Sequence, residues 1–347
     1  MPALTILPSS VVTAALAGRE QEVVALVRET YLRHEAGETV NPDSLFLRFP
    51  DKPDSRIIAL PAFLGGADPV AGVKWISSFP ANVADGRQRA SAVLVLNDYE
   101  TGYPFAIVES AAISAARTAA SAALAARELS TAGPATVGIV GAGYIARTVA
   151  DYLEHTGTPL RRVRCHDLDP GSADALVRHL NRDEPRAAAA SLRDALDADL
   201  VVFATTAGTP YVVDPGTFRP GQLVLHVSLR DLAPEILLRA NNVLDDVEHC
   251  LKAQTSPHVA EGIRGNRDFV TGTLAQVMRG EVEPSPKRPT IFSPFGLGVL
   301  DVAVGRMVVE RAVASGQGLV VDDFFGDQSR FRPAPERHLA GRGAAGA

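Results

Sequence analysis

The sequence predicts an α/β protein in which a doubly wound parallel sheet is joined to a discontinuous α+β domain. Three observations support this fold class. Apolar runs typical of buried strands alternate with helical segments in the second half of the chain. Short strand-like runs separated by turn residues occupy residues 43–113. An amphipathic helix predicted for residues 299–314 follows the parallel unit, and we expect it to return to the first domain.

The first domain begins with a predicted strand at 4–7 and a helix in which Ser9 or Ser10 is the candidate cap. Turn signals then separate runs that predict an antiparallel sheet or open barrel, at residues 45–49, 56–60, 70–76, 90–96 and 104–108. An alanine-rich segment, 110–132, predicts a long helix. We therefore assign residues 1–132, completed by about 299–331, to a substrate-binding and dimerisation domain.

The central motif is G-x-G-x-x-A, which directly follows the apolar run 137–140. Gly141 allows a tight turn out of the strand, and Gly143 lets a phosphate approach the backbone. Ala146 is small enough for the next helix to pack against the strand. The N-terminus of that helix would point its N–H groups at the phosphates. The motif therefore predicts a Rossmann-type domain that binds a dinucleotide, at residues 133–298.

A carboxylate should follow the second strand of such a domain, where it binds the ribose hydroxyls. The run 160–166 reads as this strand, and Asp167 follows it directly. Asp169 is a close competitor for the same role. A carboxylate at this position would repel a 2′-phosphate, so the sequence favours NAD over NADP.

Further parallel strands are predicted at 200–204 and 223–227, with 243–246 as another candidate. Thr205 and Thr206 follow the first of these strands, at the edge where open α/β sheets bind ligands. Asp231 lies just past the second, where it could act as a general base or acid when water attacks an imine. His226, within that strand, is interpreted as a core histidine.

Composition excludes several classes of function. The 347-residue chain has a net charge of −6 and no basic stripe interleaved with aromatic residues, which argues against a nucleic-acid partner. No apolar run is long enough to cross a membrane and no leader pattern opens the chain, so we expect a cytoplasmic protein. The 2 cysteines and 8 histidines show no metal-ligand spacing, so no metal is expected. Residues 332–347 are predicted to be disordered.

Three basic residues interrupt apolar segments. Arg48 and Lys74 lie within predicted strands, and Arg117 lies within the alanine-rich helix. Burying a charge is costly without a partner or a function, so these residues are candidates for a substrate site. The alternative interpretation is a solvated strand face or helix surface.

Several motifs between residues 40 and 310 resemble the ornithine cyclodeaminase/μ-crystallin family. They are Gly72-Val-Lys-Trp75, Arg89-Ala-Ser-Ala-Val-Leu-Val-Leu-Asn-Asp98, Glu100-Thr-Gly-Tyr-Pro104 and Ala115-Ala-Arg-Thr118 with the alanines that follow. The segments 45–50, 56–61 and 227–234 most resemble the 2,3-diaminopropionate branch. The resemblance implies oxidation of N-(2-amino-2-carboxyethyl)-L-glutamate by NAD, followed by hydrolysis of the imine to 2-oxoglutarate and L-2,3-diaminopropionate. It also implies a siderophore or peptide-antibiotic pathway.

The resemblance also implies residue roles. Lys74 and Asp231 would be catalytic, and Arg48 and Lys74 would hold a substrate carboxylate, with Arg117 near both substrate and cofactor. Ser91 occupies a position where the cyclodeaminases carry a threonine beside the nicotinamide. The implied cofactor contacts are Ser91, Arg117, Gly141, Gly143, Tyr144, Ile145, Asp167, Thr205, Thr206, Ser228, Ser293 and Gly296.

The sequence departs from the ornithine cyclodeaminases near Asp231. Those enzymes have a glycine-rich approach to the aspartate and a lysine four residues beyond it, whereas this chain has Ser228-Leu-Arg230 and Glu235. Arg89 and Arg230 add positive charges, which suit a tricarboxylate better than ornithine. The alternative is that both are surface arginines.

Two other functions are also compatible with the sequence. One is an ornithine or lysine cyclodeaminase, a ketimine reductase or an alanine dehydrogenase of the same family. The other is a non-catalytic, μ-crystallin-like protein that binds NADPH, against which Asp167 argues. The family pairs apolar sheets across a two-fold axis, so we expect a homodimer. A PLP-dependent synthase that makes the adduct is the implied pathway neighbour.

Overall fold

The structure is a computed structural model that describes residues 3–130 and 133–326. Two eight-stranded sheets organise this part of the chain. The tail predicted to be disordered, residues 332–347, lies outside the described residues.

The first sheet is built mainly from the N-terminal part of the chain. Its first seven strands are β1 (Leu4–Leu7), β2 (Thr39–Val40), β3 (Leu45–Phe49), β4 (Lys52–Leu64), β5 (Val70–Ser78), β6 (Ala90–Asp98) and β7 (Pro104–Glu109). The order is β1-β7-β6-β5-β4-β2, and β3 pairs with β4. All of these pairs are antiparallel except the parallel pair β1–β7, so the predicted antiparallel sheet is present.

The second sheet is entirely parallel. Its strands are β8 (Val137–Val140), β9 (Val163–His166), β10 (Ala187–Ala189), β11 (Leu200–Phe203), β12 (Leu223–His226), β13 (Asn241–Leu244), β14 (Val270–Thr273) and β15 (Thr290–Ser293). Their order is β10-β9-β8-β11-β12-β15-β13-β14. The order therefore reverses between β8 and β11, which opens a ligand crevice at their carboxyl ends. The strand β15 was not identified from the sequence.

The last described strand, β16 (Leu319–Val321), returns to the first sheet and pairs with β1. The helices are α1 (Ser9–Leu16), α2 (Glu20–Glu35), α3 (Ala111–Leu129), α4 (Tyr144–His155), α5 (Pro170–Leu180), α6 (Leu192–Leu196), α7 (Pro234–Leu237), α8 (Val247–Cys250), α9 (Ser256–Arg264), α10 (Leu274–Met278) and α11 (Gly298–Ala314), with a 3₁₀ turn at Pro80–Asp85. The single N-terminal helix expected from the sequence is thus two helices. The N-cap of the first of these, α1, is Pro8, so neither Ser9 nor Ser10 caps it.

Alternating residues of the second sheet face two different cores. Val202 and Leu225 pack in the core shared with α3 and α4, whereas Val201 and Val224 pack in the core with Ile236 of α7. A parallel sheet that is apolar on both faces needs cover on both sides. The predicted doubly wound α/β architecture is confirmed.

The alanine-rich helix α3 lies in the middle of the molecule, between α2 and α4. Its alanines are almost all buried, and their small side chains allow close helix packing. The C-terminal helix α11 returns to the first sheet, as predicted, and packs on β4, β5 and β6. We call this side of the sheet the inner face, because it carries the buried Lys74.

The opposite side of the first sheet, the outer face, is apolar and exposed. Trp75 and Val93 form a cross-strand pair there and are 46% and 41% exposed. Leu45 and Leu47 of β3 are exposed beside them. Within residues 3–130 and 133–326, no helix combines the length and hydrophobicity needed to cross a membrane.

Candidate functional site

The glycine turn between β8 and α4 has the shape that a dinucleotide phosphate requires. Gly141 has a φ of +91°, and a Cβ atom there would lie 2.5 Å from the carbonyl oxygen of Ala204. Around Gly143, by contrast, a Cβ atom would meet no atom within 4 Å. Gly143 is also the N-cap of α4, and no side chain caps the helix. The turn thus presents free backbone N–H groups to an open space, which fits a pyrophosphate.

Asp167 and Asp169 are distinguished by their hydrogen bonds. The carboxylate of Asp167 lies at the glycine turn, where it accepts a hydrogen bond of 2.7 Å from the backbone N–H of Ala142. The carboxylate of Asp169 instead caps α5, by accepting from the backbone N–H groups of Gly171 and Ser172. The geometry therefore favours Asp167 as the carboxylate that faces a ribose.

The other predicted residues of this edge lie close by. Tyr144 and Ile145 open α4 directly after the turn, and the side chain of Tyr144 is exposed. Thr206 is exposed at the carboxyl end of β11, whereas the hydroxyl of Thr205 is already engaged. Thr205 donates to Asp231, so its side chain supports that carboxylate.

Asp231 is fully buried and surrounded by hydrogen-bond partners. Thr205 and Ser228 donate to its carboxylate, as does the hydroxyl of Tyr211 at 3.0 Å. Nε2 of His226 lies 3.2 Å from the same group. Burial raises the pKa of Asp231, but the hydrogen bonds and the nearby His226 outweigh burial and lower it to about 2. Asp231 is therefore a fixed negative charge at neutral pH.

The backbone before Asp231 is strained. Leu229 has a φ of +71°, a left-handed conformation that a leucine rarely adopts. Its side chain is buried against Leu244 and Cys250, which holds the turn in place. The next residue, Arg230, donates a hydrogen bond of 2.6 Å to the carbonyl oxygen of Ala253. The turn therefore places Arg230 and Asp231 together.

Lys74 and Arg117 share one buried carboxylate. Nζ of Lys74 lies 2.6 Å from Oδ2 of Asp301, in the first turn of α11, and Nε of Arg117 lies 3.3 Å from the same oxygen. Lys74 also donates to Ser114 at 3.3 Å. Burial lowers the pKa of Lys74 to about 8, although Asp301 acts in the opposite direction. Lys74 can therefore gain or lose a proton near neutral pH.

A loop between β15 and α11 links these two groups. Arg117 packs directly over the Cα atom of Gly296, where a side chain would collide with it. Buried Asp245 fixes the loop by accepting hydrogen bonds from the backbone N–H groups of Phe295 and Gly296. Ser293, at the start of the loop, has its hydroxyl 3.4 Å from Nδ1 of His226. The loop thus connects the surroundings of Arg117 with those of Asp231.

Arginines gather at one end of the inner face. Arg48 of β3 lies directly opposite Arg56 of β4, and Arg56 lies opposite Ser78 of β5. Arg89 donates a hydrogen bond of 2.7 Å to the hydroxyl of Ser78. Burial and the charge of Arg48 lower the pKa of Arg56, and burial and the charge of Arg56 lower the pKa of Arg89.

The prediction for Ser91 does not match the structure. Its side chain lies on the outer face of the first sheet, where it forms a hydrogen bond of 2.8 Å with Ser77. Lys74 points to the inner face, and adjacent residues of a strand alternate between faces. The side chain of Ser91 is therefore separated from Lys74 and Arg117, and we exclude it from the candidate site.

Four residues of the site were missed by the sequence analysis. Asp301 pairs with Lys74, Arg56 lies opposite Arg48, Tyr211 contacts Asp231 and Asp245 holds the loop before α11. Asp301 had one usable signal, since it is the only charged residue in the otherwise apolar first half of α11, residues 298–305. In the described part of the chain, no three His, Cys, Asp or Glu side chains are grouped to hold a metal ion.

Comparisons with known proteins identify the family. A model described as the ornithine cyclodeaminase/mu-crystallin family matches residues 10–316. An alanine dehydrogenase of Archaeoglobus fulgidus is 29% identical over 313 residues, which cover 87% of this chain and 94% of the relative. The N-((2S)-2-amino-2-carboxyethyl)-L-glutamate dehydrogenase of Staphylococcus aureus is 25% identical over 317 residues, covering 87% and 93%.

The fold also matches a solved structure. An archaeal alanine dehydrogenase dimer with bound NAD aligns with a TM-score of 0.83 and 26% sequence identity. The alignment covers 93% of this chain and 100% of that chain. The similarity therefore extends over both sheets.

Proposed function

Because the chain belongs to the ornithine cyclodeaminase/mu-crystallin family, we propose that it is an NAD-dependent enzyme that oxidises an amino acid at a carbon–nitrogen bond. The observation that carries this proposal is the pairing of a dinucleotide-type turn with two buried charged groups. Asp231 lies just after β12, at the same edge of the second sheet as the glycine turn. Lys74 shares the buried carboxylate of Asp301 with Arg117. Buried charges of this kind are typical of functional sites.

The residues at the glycine turn fit NAD. Gly141 and Gly143 would cradle the pyrophosphate, and Asp167 would accept hydrogen bonds from the ribose hydroxyls. The similar archaeal alanine dehydrogenase has NAD bound, which supports this assignment. When bound, NAD supplies the acceptor for the hydride that leaves the substrate carbon.

The two charged groups have different chemical roles. Asp231, with a pKa of about 2, is a weak base, so we assign it the stabilisation of a cationic imine and the orientation of the attacking water. Lys74, with a pKa of about 8, is better matched to proton transfer at neutral pH. Arg117 would hold the substrate carboxylate next to the reacting carbon.

The substrate that we propose is N-(2-amino-2-carboxyethyl)-L-glutamate, which would give 2-oxoglutarate and L-2,3-diaminopropionate. Two features support this choice. One relative, from Staphylococcus aureus, is named as the dehydrogenase of this compound. Arg89 and Arg230 provide positive charge beyond that needed for a single carboxylate. A siderophore or peptide-antibiotic pathway, supplied with the adduct by a PLP-dependent synthase in the cytoplasm, remains part of this prediction.

The direct test mixes the purified protein with NAD and the adduct and follows NADH absorbance, with L-ornithine, L-lysine and L-alanine as parallel samples. We expect NADH and 2-oxoglutarate with the adduct alone. Turnover of L-alanine would instead favour the activity of the Archaeoglobus relative, and a cyclic imino acid from ornithine or lysine would favour a cyclodeaminase. If none of the four substrates gives NADH but the protein still binds NADH, a non-catalytic binding protein would be favoured.

Two variants test the catalytic assignment. Asp231→Asn removes the negative charge and keeps the shape, so it should retain NADH binding and lose at least ~100-fold in turnover. Lys74→Met should behave similarly. Unchanged NADH formation by either variant would contradict the role proposed for that residue.

We also propose that the protein is a homodimer that pairs the outer faces of its first sheets. Exposed apolar patches of this kind mark protein interfaces, and the similar archaeal enzyme is a dimer. Light scattering at micromolar concentration should give twice the chain mass, and Trp75→Glu, in the centre of the patch, should reduce it. A monomer mass for the unmodified protein would contradict this proposal.

A further inference from the structure

The opposed arginines Arg48 and Arg56 are unfavourable for the fold taken alone. They are directly paired across antiparallel strands, and like charges in this position destabilise a sheet. Arg56 is half-buried, so solvent screens its charge only in part. Among the described residues, no carboxylate forms an ion pair with either arginine. A bound anion would remove this repulsion.

Two further arginines surround the pair. Arg89 is half-buried and donates a hydrogen bond to Ser78, the residue opposite Arg56. We call Arg48, Arg56 and Arg89 the arginine row. Arg230 is fixed from the other domain by its hydrogen bond to Ala253. Burial and repulsion from the charges of Arg56 and Arg48 lower the pKa of Arg230. Arginine remains charged in proteins, so this repulsion persists.

The arginine row and Lys74 lie on the same face of the sheet. On β4, Arg56 is four residues from Leu60, which is directly opposite Lys74. Strand geometry gives about 13 Å between these Cα positions. Arginine and lysine side chains are long enough to span much of this distance. The row is thus placed to contact a part of the substrate remote from the carbon held by Lys74 and Arg117, so Arg48 would bind a different carboxylate from the one that the resemblance assigned to it together with Lys74.

We propose that Arg56, together with Arg48 and Arg89, forms a second carboxylate subsite that selects substrates with an acidic group remote from the reacting carbon. Arg56 is the specificity-determining residue, because it lies in the centre of the row. This inference rests on the proposed function and deepens it. Arginine is suited to the task, since its planar group can bind a carboxylate through two parallel hydrogen bonds.

The test combines one variant with altered substrates. Arg56→Gln and the unmodified enzyme are assayed with the adduct, with its glutamate γ-carboxamide analogue and with its diaminopropionate carboxamide analogue. The unmodified enzyme should lose ~10- to 100-fold in kcat/KM with the amide that removes the subsite's carboxylate. Arg56→Gln should have a kcat/KM for the adduct that is already lower by the same factor, and replacing the adduct with that amide should not lower it further. The amide whose penalty disappears identifies the carboxylate that is bound.

Lys52→Gln is the matched control, because it removes a positive charge from an exposed position on the same strand. It should keep the full discrimination between acid and amide. If Arg56→Gln lowers kcat/KM equally with all three compounds, or leaves the penalties of both amides intact, the subsite is refuted.

A second measurement does not depend on turnover. Citrate should raise the thermal unfolding midpoint of the unmodified protein and of Lys52→Gln, because a ligand that binds only the folded state stabilises it. The shift should be absent in Arg56→Gln. If citrate raises the midpoint through Arg56 but the protein does not oxidise the adduct, the proposed substrate is refuted and the subsite is retained. An equal shift of the midpoint in all three proteins would refute the subsite.

Discussion

Lys74→Met should change the pH dependence of stability in a predictable direction. Lys74 is 1% exposed, and its pKa falls from 10.5 to about 8 in the folded protein. One pKa unit corresponds to about 1.4 kcal/mol, so the buried ammonium group costs ~3 kcal/mol at neutral pH. Methionine fills a similar volume without this charge.

The sign follows from proton linkage. Below pH 8, Lys74 is protonated in both folded and unfolded states, so the full cost is present. Between pH 8 and 10.5, the unfolded state binds more protons, and the free energy of unfolding therefore rises with pH. Lys74→Met lacks this contribution. The stability of the unmodified protein relative to the variant should therefore increase by up to ~3 kcal/mol across this range.

Urea unfolding followed by circular dichroism at pH values from 7 to 10 measures this difference. Groups that are remote from Lys74 titrate equally in both proteins, so subtraction removes their contributions. Lys252→Met, at a partly exposed lysine paired with Asp43, is the control, and its stability should follow the same pH dependence as that of the unmodified protein. Parallel curves for Lys74→Met as well would show that the ammonium group is not desolvated, and the reasoning would be wrong.

Three further predictions concern the cofactor edge and Asp231. Gly143→Ala should keep the thermal unfolding midpoint but weaken NADH binding ~10-fold or more, since its Cβ would occupy the open space for the phosphate. Gly141→Ala should instead lower the thermal unfolding midpoint, because the φ of +91° is strained for alanine. Scanning fluorimetry with and without NADH distinguishes the two effects. Asp167→Asn should narrow the preference for NADH over NADPH in fluorescence titrations, and an unchanged ratio would exclude its ribose contact. Tyr211→Phe removes a hydrogen-bond donor to Asp231, which should raise the pKa of that carboxyl. The acidic limb of the pH profile of kcat/KM should therefore move to higher pH. An unmoved limb would contradict the last prediction.

Local signals in the sequence were sufficient to predict the glycine turn and the strands on either side of it. The strand, the glycines and Asp167 occur within one stretch of about thirty residues, and their spacing reflects a single turn. The parallel strands β11 and β12 were equally clear, because both faces of each strand are buried and the sequence is apolar except for His226.

The missed residues depend on long-range register. Arg56 matters because it lies opposite Arg48, and Asp301 matters because α11 returns to the sheet that contains Lys74. The pairing of the two arginines leaves no local pattern, and the lone charge in the apolar first half of α11 does not reveal which strand residue it will meet. Ser91 shows the same limit, because a shift of one residue in strand phase moves a side chain to the other face of a sheet.

The return of α11 to the first sheet has a consequence for folding during synthesis. Domains that are contiguous in sequence fold in order as they emerge, but here the cover of β4 and β5 begins only at Gly298. The parallel sheet, which ends with β15, is complete before that helix is made. The parallel sheet can therefore reach its native structure first, while β4 and β5 of the earlier half remain uncovered until α11 is made.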